Sequence, residues 1–339
     1  MGESEELMKT TTVLLTGAGG VVIPYLIQSL REKGYRVLAA DMDPSAVGLY
    51  LAERGFTIPP GDSPRFLPVI RTLCKKEGVD VIIPLVDEEL VSALELEADG
   101  IITLTPRRDF VVLCLDKYRL ALALKEAGVP APRTRLADSK EPMEPPFIVK
   151  PRRGRGSRDV HFIRSAAELA SFRETHSDQL DRFLMQEYIA GKEFTVSVVA
   201  WRDGEVMAVV PKEIISKKGV TRSAVTRRNR KIEDLCSQIQ QELHADGPFN
   251  VQLRLDAVSG DPIPFEINPR FSTTVSLTIA AGIDEVHGLI ARATGRGEEY
   301  SFGEWKEGVV LLRQTLDTFI DEEEFYRHPP IDASNLADG

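Results

Sequence analysis

The chain has 339 residues, of which 42% are apolar and 28% charged, and its formal net charge is −10. This length is enough for two or three packed domains, and the acidic net charge argues against a general affinity for nucleic acids. No apolar run approaches the roughly 20 residues of a membrane helix, and the first residues lack the apolar core of a secretion signal, so we expect a cytoplasmic protein that spans no membrane.

The first hundred residues alternate between apolar strands and amphipathic helices. This alternation predicts a small open parallel sheet. The predicted strands cover 13–16, 35–40, 79–85 and 100–104, and the predicted helices end at 33 and span 66–77 and 88–96.

The stretch VLLTGAGGVVIPYLIQSL, residues 13–30, runs through a glycine-rich turn that is typical of dinucleotide-binding units. Gly17 and Gly19 are present, but Val22 stands where the fingerprint has a third glycine or alanine. Asp41 or Asp43 stands where a ribose-binding acid would be, yet none of the five histidines is placed as a dehydrogenase proton donor. An NAD-binding oxidoreductase is therefore a less favoured alternative.

The second part of the chain has a different pattern of predicted secondary structure. A helix is predicted from Lys117, capped by Asp116 and ended by Gly128 and Pro130. After the proline-rich segment 141–147, short alternating strands predict an antiparallel sheet, and the last residues predict a disordered tail.

Two local segments carry positive charge in this acidic chain. Residues 150–158 hold five cations and no acid, and residues 212–231 hold eight cations and the single acid Glu213. Such segments indicate a compact polyanion, for example a nucleoside triphosphate. RNA is the competing interpretation, and the lack of aromatic residues in the second segment disfavours it.

The stretch DPIPFEINPRFSTTV, residues 261–275, combines oxygen ligands with a cation. Because alternate residues of a strand share a face, Glu266 and Asn268 lie together, with Arg270 beyond them. Carboxylate and amide oxygens suit Mg²⁺, and the guanidinium suits a phosphate. Gln252 or Asp256, on the strand expected to pair with this one, would complete the metal site.

The chain contains, in this order, the stretches LDKYRLALALKEAGVP, FIVKP followed by RGRGS, QEYIAGKEFTVSV, GPFNVQLRLD and FEINPRF. As a set, these stretches resemble the ATP-grasp superfamily, and more narrowly its single-copy carbamoyl-phosphate-synthetase-like members of the carboxylate–amine ligase type. The resemblance extends from about residue 12 to residue 313.

This resemblance implies an α/β fold, α+β in its C-terminal part, in which a Rossmann-like pre-ATP-grasp domain precedes the ATP-grasp fold. The expected divisions are an N-terminal tail at 1–9, the pre-ATP-grasp domain at 10–106, the linker helix and lid with the Gly-rich loop at 107–190, the C-terminal subdomain with the metal site at 191–325, and a disordered tail at 326–339.

The resemblance also implies roles for individual residues. The residues implied to bind ATP are Lys117, Lys150, Gly154, Gly156, Ser157, Glu187, Tyr188, Ile189 and Glu193. Gln252, Glu266 and Asn268 are implied to hold one or two Mg²⁺ ions, with Mn²⁺ as a substitute. Arg270, with Lys212 or Arg222, is implied to stabilise the transferred phosphoryl group. Substrate contacts are expected at Gly19, Gly20, Asp87, Glu88, Ser272 and Thr273.

The implied activity is ATP-dependent ligation of a carboxylate to an amine, or to a thiol, through an acyl phosphate, with release of ADP and phosphate. The expected partners are small-molecule carboxylates and amines, and a homodimer is compatible with the sequence. A catalytically weak ATP-binding regulator is the main alternative. Such a regulator should have lost its metal ligands, whereas Glu266 and Asn268 are present.

Overall fold

The computed structural model describes residues 10–156, 158–327 and 330–336. The tail predicted at 1–9 and Ser157 lie outside the described residues, as do 328, 329 and 337–339. The strands are β1 Thr12–Thr16, β2 Arg36–Asp41, β3 Arg54–Thr57, β4 Val81–Ile83, β5 Ile102–Thr103, β6 Thr134–Leu136, β7 Phe147–Pro151, β8 His161–Ile163, β9 Phe183–Glu187, β10 Gly191–Ala200, β11 Val206–Lys218, β12 Val220–Thr226, β13 Phe249–Asp256, β14 Pro262–Asn268, β15 Val310–Leu312 and β16 Ile331–Asp332.

The helices alternate with these strands in the first part of the chain and flank them in the second. They are α1 Ile23–Glu32, α2 Gly48–Leu51, α3 Phe66–Glu77, α4 Leu90–Ala93, α5 Arg108–Cys114, α6 Lys117–Glu126, α7 Ala166–Thr175, α8 Arg230–Glu242, α9 Val275–Ala280, α10 Glu285–Ala293 and α11 Glu322–Arg327. Within the described residues, no helix is both long enough and apolar enough to cross a bilayer.

The chain divides into two units. The N-terminal unit consists of Met1–Leu104, Ile290–Gly297 and Leu316–Gly339. The second unit consists of Thr105–Leu289 and Glu298–Thr315. Both units are therefore discontinuous in sequence, whereas the sequence predicts consecutive divisions.

A parallel sheet of six strands forms the centre of the N-terminal unit, in the order β16, β3, β2, β1, β4, β5. The predicted open parallel sheet is confirmed. Helix α3 has the predicted bounds because Phe66, Val69, Ile70 and Leu73 repeat at helical spacing and are buried against the sheet, and Gly78 ends the helix in the left-handed conformation.

Three features of this unit differ from the sequence prediction. The helix expected at 88–96 is the short α4 followed by a 3₁₀ turn over Leu94–Asp99, and β3 was not predicted because RGFT lacks an apolar run. The tail expected at 326–339 is wrong for its described part: β16 pairs with β3, and Ala333 is fully buried in the core that α3 covers. Pairing at the sheet edge and this apolar contact order the segment.

The second unit contains two antiparallel sheets, and the strands expected to form one sheet divide between them. The smaller sheet has the order β6, β9, β7, β8 and packs against α7. The larger has the order β14, β13, β10, β11, β12, β15.

Alternation along the strands gives the larger sheet an apolar face and a polar face. Phe194, Val196 and Val198 of β10 pack with β13, α5, α6 and α8 in one core cluster. The residues between them, such as Thr195 and Ser197, point to the opposite face. Because one face is covered by helices, the polar face is the one that can present functional groups.

Candidate active site

The polar face of the larger sheet brings the predicted metal ligands together. Thr195 of β10 lies opposite both Lys212 and Gln252, and Gln252 lies opposite Glu266. Residues directly opposite each other in an antiparallel pair share a face, so the Gln252 and Glu266 side chains are neighbours. Beyond this pair the register shifts and leaves Phe265 as an extra residue of β14.

The donor set fits a divalent cation. Within the described ranges, the Glu266 carboxylate and the Gln252 amide make no hydrogen bond or ion pair. Asn268 Nδ2 donates to Asn250 Oδ1 at 3.3 Å, so the carbonyl oxygen of the Asn268 amide is turned toward the site. One carboxylate and two amide oxygens are ligands that Mg²⁺ accepts.

The structure decides against Asp256 as the third ligand. Its carboxylate accepts hydrogen bonds from the backbone of Val258 and Ser259, at 2.9 and 2.8 Å, and these bonds lower its pKa. Asp256 closes the turn between β13 and β14. Gln252, in contrast, lies directly opposite Glu266.

Lys150 lies close to Glu266 and to two further lysines. Lys150 of β7 is buried, and its Nζ donates to the carbonyl of Phe265 at 3.2 Å. Burial lowers the pKa of Lys150 to about 8; Glu266 raises it, and the charges of Lys117 and Lys217 lower it further. Cations that repel one another around a buried ammonium mark a place that an anion would stabilise.

The Gly-rich loop is held close to these lysines. Lys117, the first residue of α6, donates from Nζ to the carbonyl of Gly154 at 2.6 Å. Gly154 and Gly156 have φ values of 124° and 71°, which only glycine adopts readily. Asp116 caps α6 and binds Arg152 Nη2 at 2.8 Å. Arg152, which precedes the loop, is therefore held in place by this ion pair.

The residues predicted to contact the nucleoside lie where the two sheets of this unit meet in sequence. Tyr188 follows β9 and packs against Phe162 with 5.0 Å between ring centroids, and Ile189 continues the chain toward β10. The Glu187 carboxylate accepts from the backbone N–H of Arg133 at 3.1 Å. The Glu187 carboxylate also accepts from Arg133 Nε at 3.2 Å, so this side chain is held by Arg133.

Glu193, predicted to bind ribose, has two cationic partners. One carboxylate oxygen accepts from Lys217 at 2.9 Å and the other from Arg254 at 3.1 Å. Hydroxyl groups of a ribose would compete with these ion pairs. Sequence analysis missed Lys217, although it lies within the cationic segment 212–231.

The structure corrects the role predicted for Lys212. Its side chain is fully buried, and its Nζ donates to Ser197 and Thr278, each at 2.7 Å. Ser197 in turn donates to Glu285 at 2.8 Å. Burial lowers the pKa of Lys212 to about 8, against the attraction of Glu285. An ammonium enclosed in this network cannot contact a transferred phosphoryl group directly.

The loop after β14 carries the remaining predicted residues. The backbone N–H of Arg270 donates to the carbonyl of Asn268, and the carbonyl of Arg270 accepts from Asn250 at 3.0 Å. Ser272 is buried, and its hydroxyl shares a 2.8 Å hydrogen bond with Thr274. The carbonyl of Thr273 accepts from Arg313 at 2.6 Å. Ser272 therefore shapes the loop, and Arg313 braces it.

Four predicted substrate residues belong to the N-terminal unit, at the carboxyl ends of β1 and β4. The N–H of Gly19 donates to Asp41 at 2.8 Å, and that of Gly20 donates to the carbonyl of Gly17 at 2.8 Å. Both amides already have partners, so this turn is closed by its own chain. It also occupies Asp41, the acid that the oxidoreductase alternative assigned to ribose.

Asp87 is half-buried and Glu88 exposed in the turn before α4. Sequence analysis named both but missed their neighbour Glu89, which is 5% exposed and accepts a hydrogen bond from the Thr16 hydroxyl. Asn250 and Arg313 were also missed. Asn250 shares a face with Gln252, so strand alternation could have found it, whereas no motif surrounds Arg313.

Comparison with known protein families agrees with this geometry. Residues 114–274 match the ATP-grasp domain, and residues 13–100 match the PylC-like N-terminal domain. Residues 114–274 therefore form an ATP-grasp domain. The matched ranges include Lys117, Lys150, Gln252 and Glu266, and they place the N-terminal parallel sheet in the accompanying domain.

A curated relative is the carbamoyl-phosphate synthase of Methanobrevibacter smithii, which is 24% identical over 295 residues, 79% of this chain and 77% of the relative. Among solved structures, N5-carboxyaminoimidazole synthetase from Staphylococcus aureus complexed with ADP has a TM-score of 0.71 at 19% identity, covering 84% of this chain and 78% of that chain. The L-amino acid ligase from Bacillus licheniformis has a TM-score of 0.66 at 19% identity, covering 85% and 76%.

The biotin carboxylase domain of Hydrogenobacter thermophilus 2-oxoglutarate carboxylase, solved with MgADP and bicarbonate, has a TM-score of 0.70 at 20% identity and covers 86% of this chain and 71% of that chain. These likenesses establish the ATP-grasp fold.

Proposed function

We propose that this ATP-grasp protein joins a carboxylate to an amine, or to a thiol, through an acyl phosphate. A carboxylate oxygen attacks the γ-phosphorus of ATP, and the bond between that phosphorus and the bridging oxygen of ADP breaks. The acceptor nitrogen, or sulfur, then attacks the carbonyl carbon, and phosphate leaves.

The observation that carries this proposal is the buried Lys150, whose Nζ contacts the carbonyl of Phe265 next to Glu266 and which feels the charges of Lys117 and Lys217. Three cations suit a triphosphate, and Glu266 with Gln252 supplies oxygen ligands next to it. Phosphoryl transfer needs positive charge and positioning more than covalent chemistry, and this cluster provides both.

The roles of the side chains follow from their positions. Lys150 and Lys117 bind phosphate oxygens, and the loop at Gly154 and Gly156 folds over them. The backbone from Glu187 through Tyr188 to Ile189 binds adenine, and Glu193 binds ribose after exchanging its ion pairs with Lys217 and Arg254. Arg270 stabilises the transferred phosphoryl group. Gln252, Glu266 and Asn268 hold Mg²⁺, which would neutralise charge on the phosphate oxygens.

The test measures ADP release from Mg-ATP with pools of amino acids and small carboxylates, with and without an amine. Hydroxylamine is added in parallel because it converts an acyl phosphate to a hydroxamate. Glu266→Gln and Lys150→Ala should abolish both signals. Lys75→Ala, an exposed lysine of α3, is the matched control and should change neither.

The proposal would be supported if ADP release requires one particular carboxylate and if both variants abolish ADP release and hydroxamate formation. ATP binding without release from any pool would favour the regulator instead. Binding of NADH in a displacement assay would favour the oxidoreductase, against the engagement of Asp41 with Gly19.

We further propose that one or two Mg²⁺ ions bind, that Mn²⁺ can replace them, and that the enzyme is a homodimer. The first two points are tested by metal titration in the presence of a non-hydrolysable ATP analogue, and the third by sedimentation.

A further inference from the structure

Two arginines form a cross-strand pair at the edge of the larger sheet, where β15 pairs with β12. Ser223 of β12 lies opposite Leu312 of β15, and one residue further along each strand the backbone N–H of Arg313 donates to the carbonyl of Arg222 at 2.8 Å. The register shift between Ser216 and Lys217, which lie opposite Ser223 and Thr221, leaves Arg222 without a partner on β11, and Arg222 is exposed. The Arg313 guanidinium reaches the loop after β14, where it contacts the carbonyl of Thr273.

No acid of the described residues balances this pair. The guanidinium of Arg313 donates to two backbone carbonyls, those of Thr221 at 2.9 Å and Thr273 at 2.6 Å. Within the described ranges neither Arg222 nor Arg313 forms an ion pair. Burial, and then the charge of Arg222, lower the pKa of Arg313. Like charges directly across a pair of strands destabilise the sheet, so this arrangement would be stabilised by a bound anion.

The pair lies beside the loop that follows the metal ligands. Thr273, which Arg313 contacts, is three residues after Arg270, so the two Cα atoms are at most about 11 Å apart even in a fully extended chain. A molecule of a few carbons can span such a distance. The phosphates of ATP already have Lys117, Lys150 and Lys217, which leaves the arginine pair for another anionic group.

We propose that Arg222 and Arg313 form a subsite for a second anionic group of the acyl substrate, which is therefore a carboxylic acid with a further carboxylate or phosphate. This inference rests on the proposed ligase function. It adds to that function the charge of the substrate: one carboxylate is activated beside Arg270, and the other anionic group binds between β12 and β15.

Matched pairs of acids test the subsite. Glutarate is compared with pentanoate, and 3-phosphoglycerate with glycerate, by ADP release and by hydroxamate formation with hydroxylamine. The comparison of glutarate with 3-phosphoglycerate distinguishes a second carboxylate from a phosphate. We expect kcat/KM to be higher by about tenfold or more for the acid with two anionic groups, because a charge-assisted contact contributes that much.

Arg222→Met should remove this preference by lowering kcat/KM for the preferred dianion about tenfold or more, while the matched monocarboxylate changes less than about twofold. Arg222→Lys should retain most of the preference because the charge remains. Arg313→Met is a second variant, and its thermal unfolding is measured because Arg313 also braces Thr221 and Thr273. Arg230→Met, an arginine 88% exposed on α8, is the matched control.

The outcomes separate this proposal from the ligase proposal. Two results would overturn the subsite without contradicting the ligase proposal. One is an equal kcat/KM for both acids of each matched pair. The other is an equal fall in kcat/KM for both acids in Arg222→Met. If no acid supports ADP release, binding is measured by calorimetry with a non-hydrolysable ATP analogue. Dianion binding that Arg222→Met abolishes would then support the subsite without the ligase, and no binding of either dianion would overturn the subsite.

Discussion

Lys150 is a buried cation whose environment opposes its charge when no nucleotide is bound. Burial and the charges of Lys117 and Lys217 hold its pKa at about 8, despite the attraction of Glu266. Phosphate oxygens placed next to this ammonium would restore the pKa toward its ordinary value, so ATP prefers the protonated form. Binding above pH 8 therefore requires the uptake of a proton.

We expect the dissociation constant of ATP to rise above pH 8 by up to about tenfold per pH unit, since the free protein loses the Lys150 proton there. Calorimetry between pH 7 and 9.5 measures this slope. Lys150→Arg should flatten it because a guanidinium stays charged. Lys75→Ala should keep the wild-type slope, and an unchanged slope in Lys150→Arg would contradict the assignment.

Lys217 links Glu193 to Lys150, since it binds the Glu193 carboxylate at 2.9 Å and its charge lowers the pKa of Lys150. We expect Lys217→Met to weaken ATP binding and to move the pH dependence to higher pH, because one repelling charge is removed. The same calorimetric series measures both effects. Lys218→Met, at the neighbouring exposed lysine, is the matched control. A midpoint that stays near that of wild type would refute the coupling.

At the scale of elements, strand alternation predicts a face but not what covers it. The sequence predicts that Gln252 lies on the strand next to Glu266, and in the structure the two residues lie directly opposite each other on neighbouring strands. Lys212 is on that face too, yet its role was assigned wrongly because α9 and α10 supply Thr278 and Glu285 to enclose it. The contacting residues are separated by 66 or more positions in the sequence, so these contacts leave no local signal there.

The same limit explains the other differences. The bounds of α3 were predictable because its apolar spacing and Gly78 are local features. The division of the short strands into two sheets depends on which strands pair, and alternation does not specify partners. Arg313 was missed for this reason, since only the pairing of β15 with β12 brings it next to Arg222.

The enclosed network at Lys212 should contribute strongly to stability. Lys212→Met leaves the buried Glu285 without its cation, and we expect the free energy of unfolding to fall by about 3–5 kcal/mol. Urea denaturation measures this change. Lys192→Met, at an exposed lysine paired with Glu213, should cost less than about 1 kcal/mol. Similar losses for the two variants would contradict the structural role of Lys212.

At the scale of the whole molecule, the chain enters the N-terminal unit three times, and its last described strand completes the parallel sheet. β16 pairs with β3, and Ala333 is fully buried beside it. Sequence analysis predicted the sheet but treated its last strand as a tail, because HPPIDASNLADG is short, polar and rich in turn residues. Long-range pairing gave this segment a structure that its composition does not favour.

A charge placed in this segment should disturb the N-terminal unit. Ala333→Asp buries a carboxylate in the core that α3 covers, and we expect a loss on the order of 3 kcal/mol. Hydrogen exchange of β3 peptides and thermal unfolding report the effect. Asn335→Asp adds the same charge at an exposed position two residues later and is the control. Equal protection of β3 in both variants would show that the segment is dispensable.

The late arrival of β16 has a consequence during translation. Residues 1–104 leave the ribosome well before Ile331 is synthesised, a delay on the order of ten to fifty seconds at about 5–20 residues per second. During that interval the nascent sheet exposes the outer edge of β3, a backbone that other chains can pair with. Loss of β16 would make that exposure permanent, so the pairing of β16 with β3 protects this protein from aggregation.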